Sequence, residues 1–265
     1  MSRANLFPGA SRPTKQEKIP SEDPVFENAS TRRSFLRHSS IAGAALFTPF
    51  TFAQQKLEEK EKGEKEKGEN DEKISPAEDL MREHGVLNRI LLIYDEHLRM
   101  LHEKKPFDGS VLVSAADVVR RFVEDYHERL EEDFLFPRFR KAGKLVKLVD
   151  TLQIQHKAGR DLTARIRELA GTASLKYVSS DTDKLTDALR SFLRMYRPHE
   201  AREDTVLFPA FRSIVSDHEY DSLGEDFEKK EDQLFGDEGF FKVVDQVAQL
   251  EKRLGIYDLA QFTPK

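Results

Sequence analysis

HERLEEDFLFP, His127–Pro137, and HEAREDTVLFP, His199–Pro209, are two versions of one stretch set 72 residues apart. Slid along itself by that offset, the chain also places His84 on His156, Glu132 on Asp204 and Phe139 on Phe211. A repeat of this length implies two helical hairpins of common pattern. Stacked together, they give an all-α antiparallel four-helix bundle with pseudo-twofold symmetry, in which residues at equivalent depth on the four helices converge on one point.

Helical periodicity surrounds both copies. Ser75-Pro76-Ala77-Glu78 supplies an N-cap, a proline at the first helical position and a capping-box acid. Leu80, Leu87, Leu91, Tyr94 and Leu98 then recur on neighbouring turns. The spacing predicts helices over about 76–102, 114–141, 145–170 and 183–216, with Lys105-Pro106-Phe107-Asp108-Gly109 as the first break. Pro137 and Pro209 each remove a backbone hydrogen bond inside a helix and are expected to kink it. Residues 217–265 carry Phe227, Leu234, Phe235, Phe240, Phe241, Val244, Val247, Leu250 and Leu254 at loosely helical intervals. One or two short helices covering an end of the bundle are expected there.

Within each copy, His127 and Glu131, or His199 and Glu203, stand one helical turn apart on one face and can chelate. Seen once, such a pair reads as a surface ion pair; seen twice in register, with His84 and His156 at the same offset, it reads as a metal site. Four imidazoles and two carboxylates result. If each carboxylate bridges, each of two metals has two histidines, two carboxylate oxygens and a shared solvent oxygen, with one position open. That set suits iron or manganese better than tetrahedral zinc. The chain has no cysteine, which excludes disulfides, thiolate zinc, iron–sulfur clusters and cysteine nucleophiles.

The remaining polar residues are weighed against that face. His97 lies roughly 220° round the first helix from His84 and faces away, and His102 lies about 27 Å further along the axis. Solvated positions are expected for His38 and His218. Glu128 and Glu200 sit about 100° from the ligand face, as swinging extra ligands or, the expectation here, as solvated groups. Arg160 either offsets carboxylate charge and holds an anion beside the metals or is a surface residue. Phe134, Phe136, Phe139, Phe208 and Phe211 wall one end of the site or are simply core. A ferritin-like di-iron bundle would need Glu-x-x-His twice; Glu124 and His127 fit, but Tyr196 stands at the equivalent position of the second copy.

The N-terminal part is different in kind. Thr31-Arg32-Arg33-Ser34-Phe35-Leu36-Arg37 precedes an apolar run ending Thr51-Phe52-Ala53, so residues 1–53 resemble a twin-arginine signal peptide. The run is shorter than the roughly twenty residues of a membrane span, so no permanent anchor is expected. Export by the twin-arginine machinery, to the periplasm, follows. Residues 54–74 alternate charges with glycine spacers and read as a disordered tether. The formal net charge of -5 falls to about -8 without residues 1–53, so nucleic acid is not an expected partner.

Over 75–216 the residues resemble the hemerythrin-like, or HHE cation-binding, domain. The resemblance implies two non-haem iron ions, bridged by carboxylate and solvent oxygen and held by His84, His127, Glu131, His156, His199 and Glu203. Manganese and zinc rank behind iron. Two departures stand out. Oxygen carriers of the family have His-x-x-x-His on the third helix, where this chain has His156 and Arg160. They also place the last carboxylate where Asp204 stands, whereas Glu203 fits the wider group, so Glu203 is assigned and Asp204 held in reserve. Function then divides three ways: binding of dioxygen or another small diatomic or peroxide ligand, with sensing or iron handling; a peroxidase, oxidase or iron-centre repair enzyme; or a structural bundle with zinc or no metal that binds a protein. With no general acid or base evident beside the ligands, binding is the reading adopted, and no catalytic residue is assigned.

Overall fold

A computed structural model describes residues 75–172 and 180–264. The expected signal peptide (1–53) and tether (54–74) lie outside the described residues. Among those described there are six helices and no strand. Helix α1 spans Pro76–His102, and its N-cap Ser75 accepts a hydrogen bond from the Glu78 amide at 3.2 Å, as the opening sequence dictates. Helix α2 is continuous over 109–142 but changes pitch: α-helical at Gly109–Val118, π-helical at Val119–His127, then π-helical again at Glu131–Leu135 before Phe136–Ala142. It starts earlier than the spacing predicts because Asp108 caps it, accepting from the Ser110 amide at 2.9 Å. Helix α3 is Val146–Thr172. Helix α4 runs through Ser180–Arg202, a π turn Glu203–Leu207, and Phe208–Phe211. It stops short of Ser216 because that residue caps the next helix, accepting from the Glu219 amide.

The four helices close a ring, α1 against α2 and α4, α3 against α2 and α4. Leu80, Leu87, Leu91, Leu112, Phe122, Leu152, Ile166, Leu189 and Phe192 fill the interior and are at most 2 % exposed. Each such side chain contributes roughly 1.5–3 kcal/mol by leaving water.

The repeated prolines act through the turn ahead of them. The Phe136 amide donates to Glu131 O and the Phe208 amide to Glu203 O, each five residues back. Widening that turn moves the carbonyl that a proline ring would strike in a regular helix, so Pro137 and Pro209 continue their helices rather than ending them.

The C-terminal segment forms α5, Asp217–Phe235, and α6, Gly239–Leu254, which turn back at Gly236 with φ +71°. This hairpin covers a flank of the bundle, not an end. Arg89 Nε donates to Glu251 at 2.9 Å, Arg82 lies 4.8 Å over the Phe240 ring, and Phe122 and Phe134 meet Phe235 and Phe227 at 5.6 and 5.5 Å. The contacts therefore fall on the sides of α1, at Arg82 and Arg89, and of α2, at Phe122 and Phe134.

His97 faces away from the bundle centre and is fully buried, its Nδ1 2.8 Å from Ile93 O and its ring edge-on to Phe107. Burial pushes its imidazole below the ordinary value. The unfolded chain therefore takes up a proton below about pH 6.5 that the folded chain refuses, and stability is lost as pH falls through that range. Urea melts of metal-free protein at several pH values are expected to show His97→Leu losing up to about 1.4 kcal/mol less per pH unit than the wild type below pH 6.5. Parallel profiles would disprove the buried neutral state.

Candidate metal centre

The four helices bring His84, His127, Glu131, His156, His199 and Glu203 together in two groups that share both glutamates: His84, His127, Glu131 and Glu203; and Glu131, His156, His199 and Glu203. Within each group the ligand atoms lie within 4.8 Å of one another. Glu203 spans the groups, with Oε2 3.3 Å from His84 Nε2 and Oε1 3.1 Å from His199 Nε2. Glu131 does the same less tightly, 3.9 Å from His127 Nε2 and 3.2 Å from His156 Nε2. Both glutamates are 0 % exposed.

Every histidine of the set turns its Nδ1 outward onto an oxygen: His84 on Asp204 (2.7 Å), His127 on Glu83 (2.8 Å), His156 on Glu132 (3.1 Å) and His199 on Gln155 (2.9 Å). An Nδ1–H bond of this kind fixes the tautomer and leaves Nε2 as a donor atom aimed inward. The inward atoms find little in the protein. His127 Nε2, His156 Nε2 and both oxygens of Glu131 and of Glu203 are buried with no hydrogen-bond partner. Leaving so many polar atoms unsatisfied in a core is costly, at roughly 1–3 kcal/mol each. Converging nitrogen and carboxylate oxygen donors of this type fit a divalent cation on each side.

Charges at the centre reflect the crowding. Burial and the neighbouring Glu203 charge push the Glu131 carboxyl well above the ordinary range, while Glu203 is held low by His199 and His84 despite its burial. Burial alone would lower the His84 imidazole, but Asp204 and Glu203 hold it up at about 10; burial takes His156 down to about 4.

Asp204 sits on the outer nitrogen of His84, beside the cluster rather than in it. Phe136 stacks on His156 (5.4 Å) and Phe208 on His84 (5.4 Å), with Phe139 and Phe211 6.1 Å apart beyond them, so these four rings border the site. Phe134 packs against Phe227 of α5.

Two sequence expectations are corrected. Glu128 and Glu200, expected to be solvated, are 1 % and 2 % exposed. Glu128 accepts from the Tyr196 hydroxyl at 2.9 Å and faces Arg160 Nη2 at 2.9 Å; Glu200 accepts from Asn88 at 2.6 Å. Burial pushes both carboxyls up to about 8, so groups able to hold a proton do stand at the site, Glu128 grouped with Glu132 and His156 within 4.8 Å. Arg160 is partly buried, 23 % exposed, and turned to the site: one nitrogen reaches Glu128 and also Glu132, at 2.8 Å, which in turn holds His156. Sequence reasoning missed Glu83, Gln155, Asn88 and Tyr196 as parts of the site, although Glu83/Gln155 and Asn88/Arg160 are pairs at the 72-residue offset.

Comparison with known proteins agrees with this geometry. The sequence profile of the hemerythrin HHE cation binding domain matches residues 75–211, and again, overlapping, 147–254. Uncharacterized proteins of Mycobacterium bovis and of two strains of Mycobacterium tuberculosis are each 48 % identical over 191 residues, covering 72 % of this chain and 74 % of theirs. No solved structure matches at a significant level. No helix among the described residues is long and apolar enough to cross a membrane. With four histidines and two shared glutamates converging in a helical bundle and the profile spanning that bundle, the chain belongs to the hemerythrin HHE cation-binding domain family.

Proposed function

We propose that this chain holds a pair of non-haem iron ions between His84, His127, Glu131, His156, His199 and Glu203, and that it binds dioxygen or a related small ligand there, in carrying, sensing or iron handling. The observation that carries the reading is the pair of four-ligand groups sharing two buried glutamates whose oxygens lack protein partners. An iron pair supplies electrons to dioxygen at one place. The protein's own part is to orient the donors: the four outer Nδ1 bonds hold the rings, and the stacked Phe136 and Phe208 keep water off two of them. Export to the periplasm belongs to the same proposal and is supported by the arginine pair and apolar run of residues 31–53.

A second reading has its own support. The Tyr196 hydroxyl donates to Glu128, which is grouped with Glu132 and His156, and burial leaves that carboxyl able to carry a proton near neutral pH. Such a pair serves a peroxidase, oxidase or iron-centre repair enzyme as well as a binder.

The visible spectrum of anaerobic, iron-loaded protein, taken before oxygen, after oxygen and after its removal, tests the proposal. A charge-transfer band that appears and then vanishes is the expected result. A band that persists would turn the reading to oxidation and catalysis. Absence of bound iron would leave a structural bundle.

A further inference from the structure

The 72-residue repeat pairs not only the six central residues but also the groups behind them. Glu83 and Gln155 occupy equivalent positions and each bonds the Nδ1 of its own hairpin's second histidine. Asp204 and Glu132 are equivalent, and each bonds the first histidine of the other hairpin. Asn88 and Arg160 are equivalent, and each reaches the glutamate next to the second histidine, Glu200 or Glu128. Geometry thus obeys the symmetry, but charge does not.

Behind His127 stands a carboxylate, Glu83, 2 % exposed and grouped with the buried Asp79 and with Glu231 of α5. Behind His199 stands the neutral amide of Gln155. Behind His84 stands Asp204, whose side chain is one-third exposed. Behind His156 stands Glu132, but the oxygen that accepts from His156, Oε1, also accepts from Arg160 Nη2 at 2.8 Å, and is the shorter of the two bonds. An anion on the outer nitrogen of an imidazole raises the basicity of the inner one. A neutral amide does this less, because charge-assisted bonds are roughly twice as strong as neutral ones. An arginine sharing the accepting oxygen offsets the carboxylate's charge. The His84–His127 side therefore has two carboxylates behind its rings, and the His156–His199 side has one amide and one carboxylate offset by a cation that it shares with Glu128.

We infer that the two metal positions are chemically unequal: His84–His127 is the tighter position and the better host for the more highly charged ion, and His156–His199 is the weaker, exchangeable one. This rests on the two-metal reading above. It also gives the C-terminal hairpin a part in the site, since Glu231 on α5 completes the acidic group behind His127.

Calorimetric titration of the metal-free, full-length chain with Co²⁺ tests it. Two resolved steps are expected. Glu83→Gln is expected to weaken only the tighter step, about 10–100-fold, and Gln155→Glu to strengthen only the weaker one by a similar factor. The second variant guards against misfolding in the first, because a damaged protein does not gain affinity. Two ions bound with equal affinity, or a Glu83→Gln change that lowers both steps alike, would overturn the inequality while leaving the two-metal reading intact. Failure of the wild type to take up Co²⁺ at all would remove both.

Discussion

Glu131→Gln is expected to bind neither metal ion, while its metal-free form melts no lower than the wild type. Glu131 belongs to both ligand groups, so the amide weakens two positions at once, whereas loss of any single histidine weakens one. The metal-free protein loses nothing by the same change. Both Glu131 oxygens are buried without a hydrogen-bond partner, and burial and Glu203 push the carboxyl well above the ordinary range, toward the neutral form that glutamine matches in shape and charge. Nothing is lost to folding when the proton becomes an amide. In the wild type, metal at about 100 times its dissociation constant adds about 2.7 kcal/mol. That corresponds to a rise of roughly 5–10 °C in melting temperature for a domain of this size. The variant is expected to show no such rise and no bound iron. A variant that keeps one ion per chain would show that Glu131 serves a single metal, and one that keeps two would remove it from the ligand set.

That prediction depends on a feature the sequence displays openly, while its surroundings were harder to read. The repeat shows hairpin symmetry and the converging residues because identical residue types recur at one offset. It does not show how far each helix is rotated about its axis. An offset of about 100° from the ligand face makes Glu128 and Glu200 read as solvent-facing groups. In a closed bundle that angle is the seam between helices, where Tyr196 and Asn88 meet them. Asp204 reaches His84 where the helix widens into a π turn beginning at Glu203, and no periodicity argument contains that turn. The flank position of α5 and α6 did have a signal. A second apolar stripe on α1, Val86, Ile90 and Ile93, is fully buried, and Arg82 and Arg89 beside it both reach α6. A helix apolar on two sides needs two partners.

Gly159→Ala is expected to destabilise the protein by roughly 2–4 kcal/mol, against the roughly 1 kcal/mol gain that alanine brings to a helix interior. A Cβ at this position of α3 would stand 2.0 Å from the Tyr196 hydroxyl oxygen and 2.8 Å from its ring carbon. Tyr196 is 1 % exposed and packed against Phe192 at 4.3 Å and His199 at 5.5 Å, so it has no empty space to enter. Moving it breaks the bond to Glu128 and strips a buried carboxyl of one partner. Melting should fall by roughly 5–15 °C. The damage should also reach the site, because Glu128 shares Arg160 with Glu132, and Glu132 holds His156. Weaker metal binding at the His156–His199 position is expected in the same variant. Tyr196→Phe in the Gly159→Ala background removes the closest atom but leaves the ring carbon tight, so rescue should be partial, and the two changes should be markedly non-additive. Should Gly159→Ala instead melt higher than wild type, helix propensity would be the only effect in play, and Tyr196 would not lie against α3.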